Sequence, residues 1–195
     1  MPGPKAPEDT RRRDLLRAAF TVAAEDGLAG LTTRAVAAEA GVSQGLVFFH
    51  FGNREALLVA LLDWLLASVL RHRADRLGPD APPAARLYDL VAREIAALPA
   101  NRDRVRMLFD FWVMGMQNAD VQTRIRHALD AYRRDFLPYA EAVVDAADRF
   151  GGTTPEGMAT AATALIEGVA LQVVIDPKGV DLASVHATLR ALVPQ

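Results

Sequence analysis

The chain contains no cysteine, which excludes disulfide bonds, thiolate metal sites and cysteine nucleophiles. It also lacks an uninterrupted apolar run of about eighteen residues, so no membrane span is predicted. The first ten residues, Met1 to Thr10, have no hydrophobic core stretch and do not resemble a signal peptide. These absences lead us to expect a cytoplasmic protein.

An excess of positive charge is missing as well. The formal net charge is −2, and the first 55 residues carry as many acidic as basic side chains. Many domains that bind nucleic acids are strongly basic, so bulk charge gives no support to DNA binding here. Only the placement of individual side chains can indicate it.

The chemistry of an enzyme is not visible either. Neither paired carboxylates, a cluster of metal ligands nor a nucleophile elbow can be recognised, and the histidines (His50, His72, His127 and His186) are scattered without metal-ligand spacing. We therefore expect a protein that is not an enzyme and has no metal or cofactor.

The pattern throughout the chain is helical. Apolar side chains recur at helical spacing, while alternation with a period of two is nearly absent. Glycine, proline and capping residues divide the chain into about nine predicted helices, with a kink expected at Pro138. The sequence predicts an all-α protein with a flexible arm over residues 1–10, a helix-turn-helix domain over 11–55 and a larger helical domain over 56–195.

Residues 32–55 carry the most specific motif. Thr32 and Ser43 are good N-caps for two short helices, and Gly41 between them can adopt the left-handed conformation of a tight turn. Ala37 is small enough for a close helix crossing. This arrangement is typical of a helix-turn-helix, whose second helix enters the major groove of DNA.

Four stretches in this order resemble the TetR repressor family. They are Thr32-Thr33-Arg34, Ala40-Gly41-Val42-Ser43, Phe48-Phe49-His50-Phe51 and Asn53-Arg54-Glu55-Ala56-Leu57. The resemblance is specific over about residues 11–62. Two departures stand out, because the family commonly has tyrosine in place of Phe48 and threonine in place of Leu46.

The resemblance and the chemistry of the side chains together suggest residue roles. Gln44 can bond bidentately to an adenine edge, and Leu46 can pack on a thymine methyl group. Arg34 can reach guanine or phosphate, and Arg54 is assigned to phosphate near a helix N-terminus. The predicted DNA-binding set is Thr33, Arg34, Ser43, Gln44, Gly45, Leu46, Phe48, His50, Asn53 and Arg54.

Other interpretations remain open at several positions. Phe49 and Phe51 are predicted to be core residues, and His50 could equally be a surface or capping histidine. The run Arg11-Arg12-Arg13 could reach into a minor groove, although a solvated helix start is the preferred interpretation.

Dimerisation is expected through the last two helices, as the resemblance also implies. The helix from Pro155 to Ile175 is apolar nearly all round and includes a stripe of small residues, and the last helix has the spacing of a coiled-coil seam. The predicted interface is Ala161, Ala164, Gly168, Leu171, Leu182, Val185, Leu189 and Leu192. The alternative is a core within one chain.

A ligand pocket is expected in the larger domain, with plain core packing as the alternative. The segment from Val105 to Met116 combines methionine with aromatic side chains, which suits an adaptable pocket wall. The predicted lining is Trp64, Met107, Asp110, Phe111, Trp112, Phe136 and Tyr139. Asp110 either pairs with Arg106 one turn away or holds a cationic ligand beside an aromatic ring.

The stretch from Ile166 to Pro177 also resembles the choline-sensing, BetI-like branch of the family. We therefore expect a cationic or amphipathic small-molecule effector. The predicted function is a homodimeric repressor that leaves a palindromic operator in double-stranded DNA when the effector binds. The alternatives are an activator of the same fold and a helical dimerisation module without DNA binding.

Overall fold

The computed structural model describes residues 8–69, 77–146 and 152–192. Over this part of the chain the secondary structure is nine α-helices and one 3₁₀ turn, with no strand. The helices are α1 (Glu8–Gly30), α2 (Thr33–Glu39), α3 (Gln44–Phe51), α4 (Arg54–Val69), α5 (Pro83–Ala97), α6 (Arg102–Gly115), α7 (Ala119–Asp145), α8 (Pro155–Ile175) and α9 (Leu182–Leu192), and the 3₁₀ turn is Pro99–Asn101. The predicted all-α class is confirmed.

Helix α1 begins at Glu8, so the last residues of the predicted flexible arm are helical. Its first turn contains Glu8 and Asp9, whose negative charges favour a helix N-terminus. At Gly27 the backbone leaves the helical conformation, with φ 72° and ψ 175°, before helix resumes to Gly30.

The N-caps that the sequence indicates are formed by side chains. The hydroxyl of Thr32 accepts from the amide of Ala35 at 3.0 Å, and that of Thr154 accepts from Gly157 at 3.1 Å. Each bond satisfies one of the amides that a helix start leaves without a partner. Because a cap and its helix are close neighbours in sequence, the starts of α2 and α8 are predictable from the sequence.

The chain divides into two compact units. The N-terminal unit comprises the described residues of Met1–Val69 together with Met107–Gln122, and the C-terminal unit comprises those of Leu70–Arg106 and Thr123–Gln195. In the N-terminal unit, α1 packs against α2 and α4, and α3 packs against α2 and α4. The predicted boundary after residue 55 therefore differs from this grouping, which keeps α4 with the first three helices.

The core of the N-terminal unit is aliphatic. Leu15 and Leu16 of α1, Val36 of α2 and Val47 of α3 are all buried. Burial of each such side chain contributes about 1.5–3 kcal/mol. These contacts hold the two short helices, which are too short to be stable alone.

In the C-terminal unit, α5 packs against α8 and α9. The hydroxyl of Tyr88 on α5 donates to the carbonyl of His186 on α9 at 3.3 Å. Arg102 donates to the carbonyl of Val174 near the end of α8 at 2.8 Å. Helix α7 continues through Pro138 to Asp145.

By length and composition, helix α8 is long and apolar enough to cross a membrane. Of its most apolar stretch of 18 residues, 33% is buried within the protein. One face of α8 is packed inside the unit, where Ala159, Ile166, Val169 and Val173 are buried. Core helices of globular proteins satisfy the same length and hydropathy criteria, so α8 alone is weak support for a membrane span.

Candidate nucleic-acid interface

The corner between α2 and α3 is closed by backbone hydrogen bonds. The amide of Val42 donates to the carbonyl of Ala37 at 2.9 Å, and Gly41 has a φ of 64°. A side chain at this backbone conformation would be strained, which explains the need for glycine. Val36 and Val47 are fully buried where the two helices meet. The result is the helix-turn-helix geometry that the motif predicts.

The outer surface of α3 presents the predicted base-reading side chain. Gln44 is exposed at the first turn, and its Nε2 donates to the hydroxyl of Thr33 on α2 at 3.1 Å. This bond joins two residues that the sequence assigned to the same surface. Gly45 is exposed beside them, and Ser43 caps α3 by accepting from the amide of Leu46 at 3.3 Å. Arg34 is exposed at the start of α2.

Arg54, predicted to bind phosphate, has hydrogen-bond partners within the chain that the sequence did not indicate. Its guanidinium donates to the carbonyl of Leu31 at 2.8 Å and to the carbonyl of Leu28 at 2.7 Å, with a longer bond of 3.3 Å to Ala29. These carbonyls are at the end of α1, where a helix leaves acceptors without partners. These hydrogen bonds from Arg54 connect the start of α4 to the end of α1. Asn53 caps α4 by accepting from the amide of Ala56 at 2.8 Å.

The aromatic side chains of α3 divide between core and surface. Phe51 is buried, as predicted, with the guanidinium of Arg12 at 5.2 Å from its ring centre. Phe49 is 74% exposed, so its predicted place in the core is wrong. Phe48 is 62% exposed, and His50 is half-buried with its ring edge-on to Phe49 at 5.3 Å. Arg12 and its neighbours are part of α1, which agrees with the helix-start interpretation.

The stripe of small residues that the sequence assigned to dimerisation is exposed on α8. Ala161, Ala164, Gly168 and Leu171 all have accessible side chains or backbone, while the opposite face of the helix is buried. Leu165 and Ile175 extend this exposed surface and were missed by the prediction. We call Ala161, Ala164, Leu165, Gly168, Leu171 and Ile175 the open face of α8.

On α9 the predicted interface residues are less accessible. Leu182, Val185 and Leu189 are half-buried, and the side chain of Leu192 lies outside the described residues. The exposed positions between them include Ala183 and Ala187. Part of the predicted interface of α9 is therefore covered by other residues of the same chain.

The predicted pocket residues are distributed over both units. Trp64 packs against Phe20 with ring centres 5.8 Å apart, and Met107 and Phe111 are fully buried. Trp112 is edge-on to Phe109 at 5.1 Å. All of these belong to the N-terminal unit.

Two further members of the predicted pocket belong to the C-terminal unit. Phe136 is buried and packs edge-on against Tyr132 at 5.4 Å, and the ring of Tyr139 lies 5.4 Å from the guanidinium of Arg86. Asp110 is exposed on α6, which removes the argument that a buried carboxylate needs a partner.

Two polar interactions in the C-terminal unit were missed. The hydroxyl of Tyr132 on α7 donates to a carboxylate oxygen of Glu94 on α5 at 3.4 Å. Glu167 is half-buried on α8, and burial raises the pKa of this carboxyl, although the positive charge of Arg133 on α7 opposes the rise. The signal in the sequence was Glu167 itself, an acidic residue within an otherwise apolar helix.

Comparison with known proteins agrees with this arrangement. Residues 15–61 match the family described as bacterial regulatory proteins of the tetR family. Residues 82–195 match the C-terminal domain of BetI-type transcriptional repressors, and this match covers more than half of the chain. The chain belongs to the TetR family, with a BetI-type C-terminal domain. The family consists of transcriptional regulators and is not a family of enzymes.

Curated TetR relatives with the BetI name are moderately similar. The regulator BetI of Stenotrophomonas maltophilia is 32% identical over 65% of this chain and 64% of its own length. BetI of Brucella anthropi is 27% identical over 61% of each chain. The aligned part is thus slightly less than two thirds of these relatives.

Solved structures share the fold at low identity. A transcriptional regulator from Pseudomonas aeruginosa PAO1 has a TM-score of 0.79 with 21% identity, covering 96% of this chain and 90% of its own. A regulator from Saccharomonospora viridis, solved in complex with choline, has a TM-score of 0.76 with 20% identity and covers 95% of this chain and 96% of its own. Both are similar over nearly the whole chain.

Proposed function

We propose that this TetR-family protein is a transcriptional repressor that binds a palindromic operator as a homodimer and is released by a small-molecule effector. The observation that carries the proposal is the exposed surface of α3, where Gln44 and Thr33 are joined by a hydrogen bond beside the closed corner at Gly41. An exposed second helix of a helix-turn-helix fits the major groove of B-DNA. Such a regulator acts on the chromosome, so we place it in the cytoplasm.

The proposed DNA contacts differ in chemistry. Gln44 reads an adenine edge, and Arg34 contacts guanine or phosphate from the start of α2. Neither side chain is buried. Arg54 is not in the proposed set, because its guanidinium bonds to the end of α1. Its contribution is to hold α4 at the angle that presents α3.

The homodimer is proposed to form through the open face of α8 and the exposed positions of α9. Gly168 and its small neighbours allow close approach of a second helix, and Leu171 and Ile175 are 45% and 73% exposed in one chain. Exposed apolar surface of this kind is typical of a protein interface. A two-fold pairing also increases the number of base pairs that the protein reads, because one short recognition helix reads only a few.

The proposed effector is cationic or amphipathic, with a cation preferred. The support is the BetI-type match, the choline bound to one structural neighbour, and two acidic residues of the C-terminal unit: Glu94, which accepts from Tyr132 beside Phe136, and the half-buried Glu167. Carboxylates attract a cation by charge and aromatic faces attract it through their quadrupole. The effector must bind the two conformations of the repressor with different affinity, since equal affinity would shift nothing.

DNA binding is tested with a duplex selected from a random-sequence pool, labelled for fluorescence anisotropy. The double substitution Arg34→Ala with Gln44→Ala is expected to weaken binding by about 10-fold or more, since each specific base contact is worth about 1–3 kcal/mol. A matched control removes the same two residue types from exposed positions of α7, Gln122→Ala with Arg126→Ala. Equal affinity of the double variant and the control would contradict the assignment of α3.

The effector class is tested with choline and its uncharged carbon analogue, 3,3-dimethyl-1-butanol. Choline is expected to raise Tm and release the selected duplex, while the analogue is not. Glu167→Gln is expected to weaken the response, and Glu141→Gln at an exposed position of α7 serves as the control. Release by stearoyl-CoA but not by choline would reject the cation and support an amphipathic effector.

A further inference from the structure

Helix α3 carries an unusual pair of exposed rings. Phe48 is 62% and Phe49 is 74% exposed, and among the residues that the structure describes they are the only large aromatic side chains that are mostly exposed to solvent. The remaining phenylalanines, tyrosines and tryptophans of the described ranges are buried or half-buried. Two adjacent apolar rings in water are unfavourable unless a partner covers them.

Phe49 lies on the side of α3 that faces away from the core, and Phe48 lies between that side and the core, with its ring exposed. Val47 and Phe51 are the buried residues of this helix, and Phe49 is about half a turn from each by helical geometry. Gly45 lies one turn before Phe49 and is exposed, so no side chain at that position keeps a partner at a distance. Leu46 is half-buried beside this surface.

The same surface is poor in charge. Helix α3 (QGLVFFHF) contains no lysine, arginine or acidic residue, and its polar side chains are Gln44 and His50. Phenylalanine has no hydroxyl with which to contact a phosphate. The surface is therefore poorly suited to the phosphate backbone and well suited to an apolar group within the groove.

Thymine supplies the only such group on the base edges of the major groove, its 5-methyl. We propose that Phe48 and Phe49, with Leu46, read thymine methyl groups, so that each operator half-site is selected for thymines at the positions these side chains cover. Gln44, one turn before Phe48, adds an adenine contact on the same surface. This inference rests on the proposed function, because it requires α3 to enter the major groove.

The test replaces thymine by deoxyuridine, which removes only the methyl group and keeps every hydrogen-bonding atom. Duplexes obtained by selection from a random pool are made with deoxyuridine at one half-site thymine at a time. Loss of one buried methyl group is expected to weaken binding about fourfold. Positions outside the reach of α3 are expected to show no change.

A double-mutant cycle assigns the effect to the rings. In Phe48→Ala with Phe49→Ala, the preference for thymine over deoxyuridine is expected to fall to about one at the positions that the two rings cover, and to persist only at a thymine that Leu46 covers. Both rings are exposed, so the variant is expected to keep the Tm of the wild type. Val113→Ala, at an apolar position of α6 that is 64% exposed, is the matched control and is expected to keep the full preference.

Equal affinity of the wild type for the thymine and deoxyuridine duplexes would overturn the inference while leaving DNA binding intact. A double variant that keeps the thymine preference would also overturn it, since the methyl would then be read elsewhere. Unchanged DNA affinity of the double variant would mean that the rings serve another partner, such as a protein. Failure of the wild type to bind any selected duplex would instead contradict the proposed function itself.

Discussion

Helices α3 and α8 both expose apolar surface, but the two surfaces are built differently. Helix α3 is short and exposes two large rings next to Gln44 and Gly45, whereas α8 is long and exposes the small residues of its open face. Rings that project from a short helix suit a groove lined with both polar and apolar groups. Small residues along a long helix suit the close approach of another helix.

The contacts that hold α3 and α8 in place differ as well. Helix α3 is held by the turn at Gly41 on one side and by α4 on the other, and α4 is tied to α1 by Arg54. Helix α8 is held by its buried face and by Arg102 at its C-terminal end. The contacts of α3 fix its orientation relative to α2 and α4, as expected if α3 reads DNA. The contacts of α8 leave a long surface open, as expected if α8 pairs with a second chain.

The largest expected effect comes from a charge on the open face of α8. Gly168→Arg is expected to convert the proposed dimer to a monomer, because an unpaired buried charge costs about 3–5 kcal/mol or more at an interface. Operator affinity is expected to fall by at least about 100-fold as a consequence. Sedimentation velocity and anisotropy measure the two changes.

The matched control for this charge is Ala97→Arg, which places the same side chain at an exposed position at the end of α5. It is expected to leave both the proposed dimerisation and the proposed DNA binding unchanged. A Gly168→Arg protein that sediments as a dimer with normal affinity would show that α8 does not pair the chains. Insertion of the wild type into lipid vesicles would instead favour a membrane role for α8.

The next effect separates the roles of Arg54 and Arg34 in the N-terminal unit. Arg54→Ala is expected to lower the free energy of unfolding by about 2 kcal/mol, because it leaves the carbonyls of Leu28 and Leu31 without their charged donor. Arg34→Ala, at an exposed position, is expected to change stability by less than about 0.5 kcal/mol. Urea unfolding monitored by circular dichroism measures both.

The same pair is then compared on DNA at a temperature where both variants are folded. Arg34→Ala is expected to weaken binding about tenfold and Arg54→Ala much less, since only Arg34 is in the proposed contact set. The reverse order, with Arg54→Ala fully stable and unable to bind, would restore Arg54 as a phosphate ligand.

A smaller effect is expected for Gln44→Ala. Removing the amide is expected to cost about 1–2 kcal/mol at one adenine position of the half-site and to relax specificity there alone. The measurement is anisotropy over duplexes that carry each base pair at each position. A uniform loss over all sequences would assign Gln44 to the backbone of DNA and not to a base.

The smallest effect concerns the pH dependence of the C-terminal unit. Because burial raises the pKa of Glu167 in the folded state, the folded chain binds more protons than the unfolded chain from the ordinary value of 4.5 up to the raised pKa. The contribution of this group to stability therefore falls as the pH rises through that window. Glu167→Gln is expected to remove this dependence and to raise Tm slightly at pH 7.

Thermal unfolding between pH 4.5 and pH 7.5 checks this expectation, with Glu141→Gln as the control. Identical pH profiles of the wild type and Glu167→Gln would contradict it. A lower Tm of Glu167→Gln at pH 7 would show instead that the attraction between Glu167 and Arg133 outweighs the cost of burial.

The predictability of the site from sequence depended on how far apart the partners are in the chain. Thr32, Ser43 and Gly41 act on amides or turns within a few residues, and each took its predicted role. The acceptors of Arg54 could not be predicted in this way, because they are 23 to 26 residues earlier, at the end of α1 or directly after it. Residue type alone indicated a cation near a helix start and could not indicate which acceptors it would meet.

The aromatic residues of α3 illustrate the same limit. Phe49 was predicted to be buried because phenylalanine usually is, but in α3 the core side holds only Val47 and Phe51. Asp110 was predicted to line the pocket because its neighbours are apolar, yet it is exposed on α6. Helical periodicity predicted that α6 exists without fixing which side of it would be covered.

The most direct test of the whole account is the stoichiometry of binding to a palindromic duplex and to its isolated half-site, measured by sedimentation and anisotropy on the selected sequence. The account predicts two chains on each palindrome and an affinity for the half-site that is lower by at least about 100-fold. A single chain on the palindrome, or equal affinity for the two duplexes, would contradict the pairing of two α3 helices through α8.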